Sequence, residues 1–209
     1  FAKGFETFDI PPGAEGSVCD HGGIKGKTLC MRTKAGKATV RDWIETAVER
    51  CPRIKVMAWN FRDWSLLCDE SCPRCADTSA SRRTFEFLQW ARDTVKEVKP
   101  DIKVVMRNWV FYPHEREEIN QCLPEGVGLI SKCANIGDEI YMPAYQYDDH
   151  YGPLERESIR RFGDRVILEL PVGSCESFDT VIGFPMPETT AKRLNDAENW
   201  GLRTISSWW

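Results

Sequence analysis

A (β/α)8 barrel-type α/β fold, carried here as roughly its last five strands, is predicted by three observations. Five short runs rich in β-branched and aromatic residues recur along the chain, helical patterns separate them, and polar residues crowd their carboxyl ends. Strands that are apolar along their length and separated by helices imply a parallel sheet covered on both faces. A dinucleotide-binding sheet would carry G-x-G-x-x-G directly after a strand, and no such run exists. At 209 residues the chain suffices for one main core. A partial barrel would have its remaining strands elsewhere in a longer chain or in a second subunit.

Residues 1–37, rich in Gly and turn formers, show no readable period and are expected to be an irregular segment, with the barrel portion covering 38–209. Thr39–Arg50 reads as the first helix and Lys55–Phe61 as the first strand, followed by Asn60, Arg62, Asp63 and Trp64 at its carboxyl end. Ser79–Val98 is helical, with Phe85, Leu88, Trp90, Val95 and Val98 near helical spacing, and Pro100 stops it. Ile102–Phe111 forms the second strand, ending in Arg107, Asn108 and Trp109. A short helix over Glu115–Gln121 stops at Pro124, and Val127–Ser131 is the third strand, with Lys132 at its end.

Long connections follow at Cys133–Gly163 and Pro171–Pro187, and loops of such length tend to carry function. The first is acidic and rich in tyrosine, which suits a hydroxyl-rich ligand. Between them Arg165–Leu170 is the fourth strand, with Glu169 inside it. Glu188–Trp200 is a helix stopped by Gly201, and Leu202–Trp208 is the last strand.

Net charge of -4 and a pI near 5.5 exclude the basic footprint that nucleic acids or anionic membranes demand. No apolar run approaches the roughly 18 residues of a membrane span, so a soluble protein is expected. Nine cysteines, an odd number, leave at least one thiol unpaired in a monomer. Several lie in apolar stretches, Cys30 and Cys133 among them, where a free thiol behaves as a small buried hydrophobe. This points to a reducing, cytoplasmic setting. Eight tryptophans are many for this length. Trp59, Trp64, Trp109 and Trp208 are candidate platforms for flat neutral ligands such as sugar rings.

Cys68, Cys72 and Cys75 form C-x3-C-x2-C. Three thiolates so spaced can hold three irons of a four-iron cluster, and the string resembles the signature of the radical S-adenosylmethionine enzymes. Arg74 stands where that family carries an aromatic residue, and its Gly-Gly-Glu-like run is missing. The other metal reading is a structural zinc site that adds His21, Cys51 or Cys19 to the trio. Paired carboxylates suit glycoside hydrolysis, one protonating the leaving oxygen and one acting on the opposite side of the ring. Asp63, Asp138, Glu139, Glu169 and Glu176 fall in suitable places. Glu169 stands out, because a charge within Val166–Pro171 needs a partner or a function. Arg107, inside an apolar strand, is expected to pair with a carboxylate, Glu169 included, or to grip an anionic group. The three histidines form no motif, and a serine hydrolase lacks its G-x-S-x-G.

The run Val104-Val105-Met106-Arg107-Asn108-Trp109-Val110-Phe111-Tyr112 resembles the fifth barrel strand of the α-glucuronidases. Leu129-Ile130-Ser131-Lys132 followed by Asp138 is similar to that family's sixth strand, and Ile167-Leu168-Glu169-Leu170 followed by Glu176 to its seventh. The resemblance spans roughly residues 55–209. It implies a (β/α)8 hydrolase acting, without a cofactor, on uronic-acid-capped plant or bacterial oligosaccharide through water attack with inversion. Asp63 would be the acid, where the family has Glu, and Asp138 or Glu176 the base. Arg107 and Lys132 would grip uronate or hydroxyls, with Trp64 and Trp109 as stacking surfaces. The alternatives are the radical iron–sulfur enzyme and a non-catalytic carbohydrate-binding relative.

Overall fold

The structure is a computed structural model and describes residues 10–21, 24–60, 68, 71–107, 117–118, 121–132, 153–171, 187–202 and 204–208. The chain divides into two compact units, residues 1–57 with 61–104, and residues 58–60 with 105–209.

The first unit opens with a hairpin. β1 (Glu15–His21) pairs antiparallel with β2 (Ile24–Leu29), from Glu15 opposite Leu29 to His21 opposite Ile24, with an irregularity between Glu15 and Val18. This corrects the expectation of an irregular segment over 1–37. The strands escaped notice because charged residues and glycines replace the apolar alternation that marks a half-buried strand.

α1 (Lys34–Arg50) starts earlier than Thr39, because Thr33 caps it: its hydroxyl oxygen accepts the Gly36 N–H at 2.9 Å. Gly36, Val40 and Ile44 form its buried stripe. α2 (Ala80–Val98) is capped by Ser79, whose side chain accepts the Arg82 N–H. Its buried face is Ser81, Thr84, Phe87, Leu88, Ala91, Thr94 and Val95. Phe85, Trp90 and Val98, expected on that face, are only half-buried. Small hydroxyl residues take their places, and Thr84 meets its polar need by donating to the Ala80 carbonyl at 2.9 Å. Arg41 on α1 and Glu97 on α2 form an ion pair at 2.8 Å.

β3 (Val56–Asn60), β4 (Lys103–Arg107), β5 (Val127–Lys132), β6 (Val166–Pro171) and β7 (Ile205–Trp208) form a five-stranded sheet in sequence order. The five runs expected as strands are these five: β3, β4 and β7 are shorter than expected, β5 extends one residue further to Lys132, and β6 is shifted by one residue. β6 lies parallel to β5 and to β7, with Lys132 opposite Glu169 and Glu169 opposite Ser206. Parallel neighbours need crossovers, and helices supply them: α3 (Pro153–Phe162) between β5 and β6, and α4 (Pro187–Asn199) between β6 and β7.

α3 corrects the expectation of a continuous loop over Cys133–Gly163. Gly163 follows it with φ of 54°, a left-handed conformation cheap only for glycine. Arg165 then donates to the carbonyls of Pro124 and Val127 at 3.2 and 3.3 Å, with its guanidinium 5.0 Å over the Phe162 ring. α4 ends as its glycine predicts. Leu202 N–H reaches the Ala197 carbonyl and Gly201 N–H the Glu198 carbonyl, both at 2.9 Å, with Gly201 left-handed at φ 72°. Of the short helix expected over Glu115–Gln121, residues 117–118 and 121 are described and helical. Val105, Met106, Leu123, Val127, Leu129, Ile159, Phe162, Val166 and Ala197 are buried in the second unit. Among the described residues no helix is long and apolar enough to cross a membrane.

Gly128 sits inside β5 because nothing larger fits. A Cβ there would stand 2.8 Å from Val105 Cγ1 and 3.0 Å from the Arg165 carbonyl oxygen. Gly128→Ala is therefore expected to cost ~2 kcal/mol, read as a lowered urea midpoint with an unchanged slope. On α3, Arg160 holds Glu157 below the usual carboxylate range through paired hydrogen bonds at 2.6 and 2.8 Å. A depressed folded-state value means stabilisation that is complete above the ordinary Glu range, roughly pH 4.3, and lost as pH falls through the folded value. The urea midpoint of Glu157→Gln is expected to lie slightly below the parent's at pH 7 and to converge with it between pH ~5 and ~3.

Candidate metal centre and the polar strand ends

Four cysteines meet in the first unit. Cys30 follows β2 directly, and its N–H donates to the Ala14 carbonyl at 2.8 Å. The Cys68 N–H donates to the Leu29 carbonyl at 3.1 Å, which fixes Cys68 beside the end of the hairpin. Cys72-Pro73-Arg74-Cys75 turns back on itself, with Cys75 N–H on the Cys72 carbonyl at 2.8 Å and Thr78 N–H on the Cys75 carbonyl at 3.0 Å.

Two glycines make room for this approach. A Cβ on Gly16 would stand 2.5 Å from Cys68 Cβ, and one on Gly36 would stand 2.1 Å from the Cys30 carbonyl oxygen. Neither position tolerates a side chain without moving backbone that carries a thiol.

The sulfur atoms lie 3.1 Å apart for Cys68 and Cys75, 3.8 Å for Cys72 and Cys30, and 3.9 Å for Cys30 and Cys75. All four lie within 4.8 Å of one another. Cys30 and Cys72 are 0% exposed, Cys75 2% and Cys68 7%, and none is in a disulfide. Burial pushes the Cys68 thiol far up, and burial, opposed by a hydrogen bond with Cys68 and reinforced by Cys30 and Cys72, pushes Cys75 up to about 11. Burial works against the Cys72 thiolate as well, yet the Arg74 N–H and the three neighbouring thiols, all hydrogen-bonding to its sulfur, bring it below the ordinary value. A group of four buried thiols at this separation can bind a metal ion, since thiolates are its natural soft ligands.

Arginine holds the surrounding chain. Arg32, two residues beyond Cys30, donates to the Arg74 carbonyl at 2.7 Å, to Asp77 at 2.9 Å, to the Thr78 hydroxyl at 2.5 Å and to Glu86 at 3.3 Å. Arg83 donates to the carbonyls of Cys75 and Thr78, and Arg74 to that of Glu15 at 3.2 Å. Thr78 and then Arg32 hold the Asp77 carboxyl below its usual range, so this pairing is fully charged at neutral pH.

The structure thus joins the trio expected from its spacing to Cys30, a thiol outside the expected His21, Cys51 or Cys19; the side chains of His21 and Cys19 lie outside the described ones. Cys51 is exposed and ends α1. Cys30 was read as a small hydrophobe because Leu29-Cys30-Met31 is apolar, and no local spacing connects it to Cys75, 45 positions away.

In the second unit, polar residues stand at or next to the strand ends: Asn60 closes β3, Arg107 closes β4, Lys132 closes β5 and Glu169 lies opposite Lys132 in register. Arg107 is only 8% exposed. No protein-family model matches this chain, and no curated protein matches it either. Asp63, Trp64, Trp109, Asp138, Glu139 and Glu176 lie outside the described residues.

Removal of the Arg32 fork would release the Cys72–Thr78 turn from the end of the hairpin. Arg32→Ala is expected to lower the thermal midpoint by ~5 °C, and Arg32→Lys to recover less than half of that, because one ammonium cannot reach a carbonyl, a hydroxyl and two carboxylates together. A scan of the two variants beside the parent checks it.

Proposed function

We propose that this chain supplies the later strands of a barrel-type glycoside hydrolase domain acting on uronic-acid-bearing oligosaccharide. The observation that carries the reading is the uninterrupted strand order β3-β4-β5-β6-β7, with Asn60, Arg107, Lys132 and Glu169 at or near the strands' carboxyl ends. A doubly wound sheet reverses its order at the crevice where it binds ligand. A barrel winds in one direction and builds its site from those ends.

The chemistry of these ends suits the substrate. A guanidinium fork matches a uronate carboxylate bidentately, and a lysine adds a mobile positive charge. In the hydrolysis, water adds to the anomeric carbon, a carboxylate takes the water's proton, and a carboxylic acid delivers a proton to the departing oxygen. Asp63 is the proposed acid, and Asp138 or Glu176 the proposed base. Glu169, opposite Lys132 in register, is the proposed further carboxylate of the site.

The test is release of free uronic acid from capped oligosaccharides by the intact protein. Glu169→Gln and Arg107→Lys are each expected to lower kcat/KM about 100-fold or more with the circular dichroism spectrum unchanged. Sugar affinity by calorimetry with no turnover would replace the hydrolase with a carbohydrate-binding protein. Absence of both affinity and turnover would remove the carbohydrate reading altogether.

A further inference from the structure

We propose that Cys30, Cys68, Cys72 and Cys75 bind one zinc ion as a closed, four-thiolate structural centre of the amino-terminal unit. Zinc held tetrahedrally at ~2.3 Å from each sulfur sets the sulfurs ~3.8 Å apart. Two of the separations stand at that value, 3.8 and 3.9 Å, and the third, 3.1 Å, reaches it through small side-chain rotations. The thiolates around a four-iron cube bind four different irons and stand ~6 Å apart. With all four sulfurs within 4.8 Å of one another there is no room for a cube. The closure by Cys30 also removes the open coordination position that a radical enzyme or a catalytic zinc requires.

The surroundings fit an anionic centre. A divalent ion with four thiolates carries two net negative charges, and the Arg74 N–H already points at the Cys72 sulfur. The carbonyls of Cys30, Cys72 and Cys75 are taken by the N–H groups of Thr33, Cys75 and Thr78, so the backbone behind the ligands is held. Arg83 places positive charge on the same turn, on the Cys75 carbonyl. Gly16 lets the Cys68 Cβ approach the hairpin, and Gly36 lets the first turn of α1 lie against the Cys30 carbonyl.

The role follows from connectivity. Cys30 follows the hairpin, Cys68 is hydrogen-bonded to the hairpin's last residue, Leu29, and Cys72 and Cys75 belong to the turn before α2. One ion ties these three stretches together without a disulfide, which suits a chain whose four clustered thiols are all free.

The intact protein, purified without chelator, is to be analysed for zinc, iron and acid-labile sulfide, then exchanged with cobalt(II) as a spectroscopic probe. The expected result is one zinc per chain, no sulfide, and the intense visible bands of tetrahedral tetrathiolate cobalt. Competition with a chromophoric chelator is expected to show that Cys30→Ser weakens zinc binding by about 100-fold or more, while Cys51→Ser leaves it unchanged. If Cys30→Ser does not fold, X-ray absorption on the zinc-loaded parent decides, with four sulfur neighbours expected. Iron with sulfide, no stoichiometric metal after zinc addition, fewer than four sulfurs, or a Cys30→Ser protein that binds as tightly as the parent would each overturn the proposal. None of these readouts depends on turnover of a sugar, so the result stands apart from the hydrolase reading.

Discussion

Four buried sulfur atoms within 4.8 Å of one another impose the strictest geometric demand in the amino-terminal unit. Thiols attract each other weakly, so the crowding is sustained by everything around it: a strand end that delivers Cys30, a backbone hydrogen bond from Cys68 to Leu29, and a turn that folds Cys72 onto Cys75. The absence of side chains at Gly16 and Gly36 belongs to the same demand. So does the position of α1, whose first turn rests on the Cys30 carbonyl through Thr33. Arg32 then spreads the constraint to α2, because its fork spans the turn and reaches Glu86 on the helix.

The second unit obeys a different constraint, the register of parallel strands. Pairing Leu129 with Val166 and Leu168 with Ile205 aligns the apolar parts of β5, β6 and β7, and the same alignment brings Lys132, Glu169 and Ser206 to one level. A slip of one residue would exchange the faces of β6 and take Glu169 out of that register.

Much of this was legible in the sequence, and what was not has physical causes. The five strands announced themselves through Val, Ile, Met and Trp, and α4 through the glycine that closes it. The hairpin was hidden because Glu15–His21 and Ile24–Leu29 carry charges and glycines, so only their pairing reveals them. α3 was hidden because half of Pro153–Phe162 is charged, with Ile159 and Phe162 alone on its described buried apolar face. On α2 Leu88 and Val95 lie on the buried stripe as their spacing predicts, whereas Thr84, Ala91 and Thr94, which carry no apolar signal or little of it, complete the stripe in place of Phe85 and Trp90. Cysteine spacing found three of the four thiols. The fourth was beyond any local pattern, since tertiary folding alone joins Cys30 to a turn more than forty positions later.

That long span has a thermodynamic meaning. Bringing Cys30 and Cys75 together closes a loop of 45 positions, which costs an open chain ~3 kcal/mol in lost freedom before any contact repays it. A ligand that binds only the closed form offsets this by mass action, and each tenfold rise in its free concentration above saturation adds ~1.4 kcal/mol to the folded state. The firmness of the amino-terminal unit is then set partly outside the polypeptide, by the supply of free metal ion in the surrounding solution.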